Sequence, residues 1–437
     1  MKKKSLNVSS DKKAWIVAVN MGYGHQRTAY PLRHLAFSGK IINANDYEDI
    51  PVADRNIWES SRRFYEFMSN FQGVSFLGRI SFYVFDQFQK IMSFYPKRDL
   101  SRPSFVVKQA YRLIKNGWGR HLIETLAKKP VPFVTTFYTP AFMAEYFGYP
   151  GEIYCVVADA DVARVWAPLE PQKSRIKYFA PTARVVERLK LYGVKTENIF
   201  LTGYPLPREN LGSLNFEVAK SDLGHRLKNL DPESKYCRQY SSLIEKYVGV
   251  LPKNASHPFT LMFSIGGAGA QKEIGTKIIK NLKERIKNDS LKLILSVGIR
   301  RKTQQYFLDE INKHGLGKCL GKGIQILIGD DIADYFKKFN DALRLTDVLW
   351  SKPSELSFYC ALGIPVIIAP PLGSQEQFNR AWLLKLGAGI NQVNLNYAAE
   401  WLVDYLGAGW FAEAAMQGFV ETEKRGVFNI ERILLRE

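Results

Sequence analysis

Cysteine is scarce in this 437-residue chain: four residues, Cys155, Cys237, Cys319 and Cys360, scattered without metal-ligand spacing. That excludes a disulfide-stapled scaffold and a zinc-finger arrangement, and the four read as free thiols of a reducing compartment. Long apolar runs are missing too. No stretch approaches the roughly 18 uninterrupted apolar residues of a membrane span. The N-terminus MKKKSLNVSSDKK is basic, but the apolar run behind it stops at Asn20 and lacks a small-residue cleavage pattern, so a cytoplasmic location is expected. Acids are the third shortage. Forty-two Asp and Glu face 61 Lys and Arg, a net charge of +19. Such an excess suits a polyanionic partner, whether an anionic membrane surface, nucleic acid or phosphorylated substrates, unless it only reflects a basic proteome. An arginine-aromatic RNA-binding motif is absent, so nucleic acid is not expected.

What is present speaks most clearly between Ser351 and Ile390, SKPSELSFYCALGIPVIIAPPLGSQEQFNRAWLLKLGAGI. A short helix opening near Glu355 ends at Gly363, and Pro365 cannot continue it. Val366 to Ala369 is short and β-branched, the mark of a strand covered on both faces in a parallel sheet. The loop from Pro370 to Gln375 therefore lies at the carboxyl end of that sheet, where open α/β sheets bind ligands. A second helix, Gln377 to Leu386, ends at Gly387. Ser354, Glu355, Gln375, Glu376 and Asn379 are thus polar groups able to converge on one polyhydroxyl ligand. Each acid alone reads equally well as a helix cap offsetting the macrodipole.

Two glycine-rich turns, one per half, frame the chain. Trp15 to Val19 reads as a strand running into MGYGHQRTA, where Gly22 and Gly24 permit a tight turn and His25 falls at a helix N-terminus. Neutral imidazole there can take a proton from a hydroxyl, or it can merely cap the helix. Asp46, after the strand Ile41 to Ala44, is a second candidate base or a solvated loop acid. In the other half, Phe259 to Ser264 runs into IGGAGAQKE, where Gly266, Gly267 and Gly269 let backbone amides and a helix N-terminus meet a diphosphate. Arg300, after the strand Leu291 to Val297, could pair with phosphate or remain a surface arginine. Asp159-Ala160-Asp161 has the form of an Asp-x-Asp metal motif, but it sits in the first half, away from the polar cluster of Ser351 to Ile390, and no metal is expected.

The order SKPSE, ALGIPVIIAPP, EQFN and LLKLGAGI resembles the C-terminal donor site of family 28 glycosyltransferases, the group of the peptidoglycan-pathway N-acetylglucosaminyl transferase and the monogalactosyldiacylglycerol synthases. The resemblance implies a GT-B fold, α/β with two Rossmann-like parallel-sheet domains facing a cleft. It implies that Glu355 holds the ribose, that Gln375, Glu376 and Asn379 hold the donor sugar, and that backbone at Ile328 reads uracil. It also places the first turn, with Gly22, Gly24 and His25, toward the acceptor; Met21 and Tyr23 depart from the family pattern there.

The expected organisation is a first domain over 1–205, a linker and elaboration over 206–258, a nucleotide-sugar domain over 259–405, and helices over 406–437 packing back toward the first domain. Within the first domain, 57–95 is an aromatic-basic insertion bearing Arg62, Arg63, Arg79 and Lys90, with Leu77, Ile80, Val84, Phe88 and Ile91 at helical spacing. It reads as a membrane-interface face or as core. The expected activity is metal-independent, inverting transfer of a sugar from a UDP-type donor to a lipid or membrane-associated acceptor, peripheral on the inner face of the membrane, with no cofactor beyond the nucleotide sugar. The alternatives are a nucleotide-sugar 2-epimerase of the same fold, which needs an acid/base set inside one donor pocket, and a silent scaffold or lipid-binding protein.

Overall fold

The computed structural model describes residues 13–37, 39–71, 91–266, 269 and 271–436. Among the described residues, twelve short strands form two parallel sheets of six. The first contains β1 (Trp15–Ala18), β2 (Ile42–Asn43), β3 (Phe133–Thr135), β4 (Ile153–Val156), β5 (Lys177–Ala180) and β6 (Ile199–Leu201), in the order β2-β1-β3-β4-β5-β6. The second contains β7 (Thr260–Ser264), β8 (Lys292–Gly298), β9 (Ile324–Ile328), β10 (Val348–Ser351), β11 (Val366–Ile368) and β12 (Gly389–Asn391), in the order β12-β11-β10-β7-β8-β9. The central strands β3, β4, β7 and β10 are buried along their whole length, as continuous apolar runs in a sheet covered on both faces must be. Two such α/β domains facing each other make the GT-B architecture. In each sheet the order reverses once, between β1 and β3 in the first and between β7 and β10 in the second. Those are the points where a crevice opens outside the carboxyl ends of the strands.

The five strands named from the sequence above are present within a few residues at their ends, whereas β12 has no strand reading there. Its three residues, Gly-Ile-Asn, carry too little apolar pattern to announce a strand; pairing with β11 makes it one. The helix over Glu355–Leu362 is a 3-10 helix ending on a left-handed Gly363, and the next runs Ser374–Leu386 to a left-handed Gly387.

The segment 206–258 is more than a connection. Its Glu217–Leu230 helix buries Leu223, Leu227 and Leu230 in the second domain's core. From the same helix the fully buried Arg226 donates to the carbonyls of Thr346 (2.7 Å), Leu362 (3.0 Å) and Gly363 (3.2 Å). The last described helix, Gly426–Leu435, lies against the first domain, where Asn429 donates to the Thr202 carbonyl at 2.8 Å, and Glu431 pairs with Arg208 of the connecting segment. Of the aromatic-basic segment, Trp58 and Ile91 are core residues, Trp58 packing its ring 4.7 Å from that of Trp118. Residues 72–90, with Leu77, Ile80, Val84 and Phe88, lie outside the described residues. Among the described residues no helix is long and apolar enough to cross a membrane.

Candidate functional site

A cleft of about 550 Å³ lies between the two switch points and is lined from both domains, within the usual range for small-molecule sites. The first glycine turn forms one side. Gly22 adopts φ +114°, which only glycine takes up readily, and starts the helix Tyr23–Ala29 directly behind β1. Gly24 is tight for a different reason: a Cβ there would meet Glu355 Oε2 at 3.0 Å, so the carboxylate would have to shift by a few tenths of an ångström. Tyr23 leaves the turn altogether. Its hydroxyl accepts from the Ile299 amide at 3.0 Å and its ring lies 5.2 Å from that of Tyr335, so the residue that departed from the family pattern is a strut between the domains.

His25 lies half-buried at this turn. Its Nδ1 is 2.8 Å from the Thr136 carbonyl, an acceptor, so the proton belongs on Nδ1 and Nε2 carries the lone pair. Thr136 Oγ1 returns a bond to the His25 carbonyl at 2.8 Å, tying the turn after β1 to the turn after β3. Desolvation pulls the imidazole down to about 4, against the opposing effects of the Thr136 carbonyl and the Glu355 charge. At neutral pH the ring is therefore an uncharged base. Phe137 and Trp166 pack around it at 4.7 and 6.3 Å.

Two strands along, β4 delivers Asp159 into the same cleft. Burial pushes its carboxyl up to about 6, the neighbouring Glu355 and Glu376 add to the rise, and the Asn379 hydrogen bond and Lys352 oppose it. Asp161 turns the other way. It forms a two-pronged ion pair with buried Arg188, at 2.9 and 2.8 Å, inside the first domain. The two acids of the Asp-x-Asp sequence thus face different surroundings and do not converge.

The second domain's wall is built from paired charges. Glu355 opens its 3-10 helix behind β10, with Ser354 as cap accepting from the Leu356 amide, and Glu355 Oε1 meets Arg27 Nε at 3.1 Å. Arg27 comes from the first domain's helix and is 3% exposed. Its guanidinium lies 4.2 Å from the Phe339 ring centroid and donates to the Tyr335 hydroxyl at 3.3 Å. Glu376 pairs with Lys352 and accepts from the Leu372 amide at 2.8 Å. The amide of Asn379 is fully engaged with protein groups, Asp159 and Ala160 among them.

Of the residues read from sequence, His25, Gly22, Gly24, Ser264, Gly266, Arg300, Ser354, Glu355, Gln375, Glu376 and Asn379 line this one cleft. Three do not. Asp46 is exposed beyond β2, the edge strand of its sheet, and is not among the residues lining the cleft. Ile328 ends the opposite edge strand, β9, and its carbonyl accepts from Lys338 at 3.3 Å. Gly269 closes its turn by donating to the Gly266 carbonyl at 2.8 Å. Gly267 lies outside the described residues. Asp159, Arg27 and Lys352 were not singled out from sequence as ligand groups. The rule that found His25, a polar side chain just past a buried strand's carboxyl end, applies equally to Asp159 and Lys352.

The family model that matches the chain is a domain of unknown function, DUF6938, over residues 251–320. No curated protein matches. Solved structures of similar shape include the UDP-GlcNAc 2-epimerase of Neisseria meningitidis bound to UDP-GlcNAc, at 12% identity and TM-score 0.45 over 79% of this chain and 83% of that one. The UDP-GlcNAc 2-epimerase of Methanocaldococcus jannaschii in complex with UDP-GlcNAc and UDP gives 13% and 0.42 over 90% and 92%. A glycosyltransferase from Rickettsia africae gives 14% and 0.43 over 98% and 100%. The two-domain fold rests on the sheets themselves.

Proposed function

We propose that the cleft binds a UDP-linked sugar and epimerises it by moving protons between the sugar and the pair His25 and Asp159. The observation that carries this reading is the presence of two titratable groups in one cleft, shifted in opposite directions by burial. An inverting transfer needs one base; the diphosphate leaves as a stable anion and needs no strong acid. A second group that holds its proton to near pH 6 is surplus to a transferase and required by an epimerase. β1 and β4 are separated by one strand, so their ends stand roughly 10 Å apart, enough for a pyranose ring between the side chains. His25 Nε2 takes the C2 proton as the C1–O bond breaks, the electron pair of that bond leaving on the diphosphate and a C1–C2 double bond forming. Return of the diphosphate to C1, with a proton from Asp159 to the other face of C2, gives the epimer; solvent resets the pair. Gly266 and Arg300 line the cleft and are the groups we assign to the diphosphate charge, with Glu355 assigned to the ribose.

One observation favours a second reading, transfer to an acceptor: Phe137, Tyr138 and Trp166 line the cleft beside His25 and offer aromatic faces to a sugar or lipid-linked acceptor. Incubation with a panel of UDP-hexoses in D2O, followed by proton NMR, separates the two. Epimerisation puts solvent deuterium on C2 and produces the second epimer with no acceptor present. Loss of donor only when an acceptor is added supports transfer to a lipid or other acceptor, and absence of C2 exchange with every UDP-sugar overturns the epimerase reading.

A further inference from the structure

Asn379 is the side chain in the cleft whose surroundings differ most from the role its sequence context suggested. It is fully buried, and its amide is spent on protein. The oxygen accepts from the Ala160 backbone N–H at 2.8 Å, and since that group can only donate, the orientation of the amide is fixed. The nitrogen is thereby turned to Asp159 Oδ1, at 2.9 Å, and to the Pro353 carbonyl, at 3.3 Å. Both amide protons have partners. Asn379 belongs to the second domain, on the helix Ser374–Leu386, whereas Asp159 and Ala160 belong to the loop behind β4 of the first. One turn earlier on that helix, Gln375 and Glu376 face the cleft.

We propose that Asn379 is a positioning residue that holds and tunes Asp159 across the domain boundary, so that the acid of the pair is complete only when the second domain's helix is docked on the first domain's loop. This rests on Asp159 being the acid of the proposed reaction. The consequence is a coupling between binding and chemistry: the helix turn that faces the sugar also sets the carboxyl that protonates it. An N–H given to a carboxylate favours the ionised form, so Asn379 works against the burial that raises Asp159. The other charges facing Asp159 are Glu355 and Glu376, which raise it, and Lys352, which lowers it. Glu355 is neutralised by Arg27 and Glu376 by Lys352, while His25 shares the cleft uncharged and Asp161 is turned into the core. Removing the Asn379 amide deletes one of two favourable influences and leaves the unfavourable ones in place.

The test reads Asp159 directly. Full-length protein labelled with carboxyl-13C aspartate is titrated by NMR, with the Asp159 signal assigned by its loss in Asp159→Asn. The expected wild-type midpoint is near 6, and in Asn379→Leu it should rise by about one pH unit. An unmoved midpoint in a folded Asn379→Leu variant overturns the proposal. If that variant does not fold by circular dichroism, the nearly isosteric Asn379→Asp serves. It sets a second carboxyl against Asp159, the pair shares a proton, and the upper midpoint rises further; a midpoint still near 6 again overturns the idea. Activity keeps the two readings apart. C2 exchange whose alkaline limb stays put in Asn379→Leu, beside an unmoved midpoint, sinks the role of Asn379 and leaves the reaction standing. A midpoint that moves in a protein turning over no UDP-sugar sinks the reaction and leaves Asn379's hold on Asp159 intact.

Discussion

The two walls of the cleft handle charge in opposite ways. On the first domain's wall, His25 and Asp159 have been moved by burial toward their neutral forms, one down to about 4 and the other up to about 6. On the second domain's wall, Glu355 and Glu376 each sit against a cation, Arg27 and Lys352. Desolvation without a full counter-charge leaves a group whose proton is cheap to move; pairing leaves a fixed charge whose geometry is held. On the proposed reaction, the difference corresponds to a division of labour, with proton transfer in the first domain and ligand positioning in the second. Arg27 and Asn379 cross the boundary, one from each side, and keep the walls in register.

The strongest way to break the comparison is to remove the groups on the first wall. His25→Ala and Asp159→Asn should each lower turnover by roughly 10²–10⁴-fold, while UDP still stabilises both variants against heat. A ligand at 100 times its dissociation constant adds about 2.7 kcal/mol, so the retained shift is readable. Loss of UDP binding in either variant would put that residue on the binding side instead.

Next in size is the pair that spans the cleft. Arg27→Met leaves Glu355 buried without its partner and should cost about 3–5 kcal/mol in urea denaturation, most of it returning in Arg27→Met/Glu355→Gln. If the double variant is no more stable than the single one, the aromatic cage around Arg27 rather than the charge pair carries the cost. The double variant should also bind UDP more weakly than wild type if Glu355 holds the ribose.

A smaller effect sharpens the same contrast. A carboxyl whose pKa is higher folded than unfolded binds its proton more tightly in the native state, so its ionisation costs stability as pH rises from about 4 through about 6. Asp159→Asn should therefore be more stable than wild type by about 1–3 kcal/mol at pH 7.5 and no more stable below pH 4. A pH-independent difference would mean that Asp159 is not the buried acid described.

The sheets were legible in the sequence because parallel strands buried on both faces leave continuous apolar runs, as in FTLMFS and PVIIA. β12 was not, since Gly-Ile-Asn has no pattern of its own. Much of the second wall could be read from acids and amides at helix starts, yet their partners could not. Arg27 meets Glu355, 328 residues away, only because two domains close on each other. Asp159 was hidden by its neighbour: two acids two residues apart suggest a common ligand, and only the fold shows one facing the cleft and the other Arg188. Tyr23 looked like a flaw in a glycine turn because its partner, the Ile299 amide, lies in the other domain.

The claim that the first wall does the chemistry is tested most directly by the pH dependence of kcat/KM for a UDP-sugar that is turned over. In the proposed reaction His25 is the base while neutral, so activity should fall as pH drops through about 4, and Asp159 is the acid while protonated, so activity should fall as pH rises through about 6. The account predicts a bell with those limbs, the alkaline one vanishing in Asp159→Asn along with most of the rate. A profile flat from pH 4 to 8, or an alkaline limb that persists unchanged in Asp159→Asn, would contradict it.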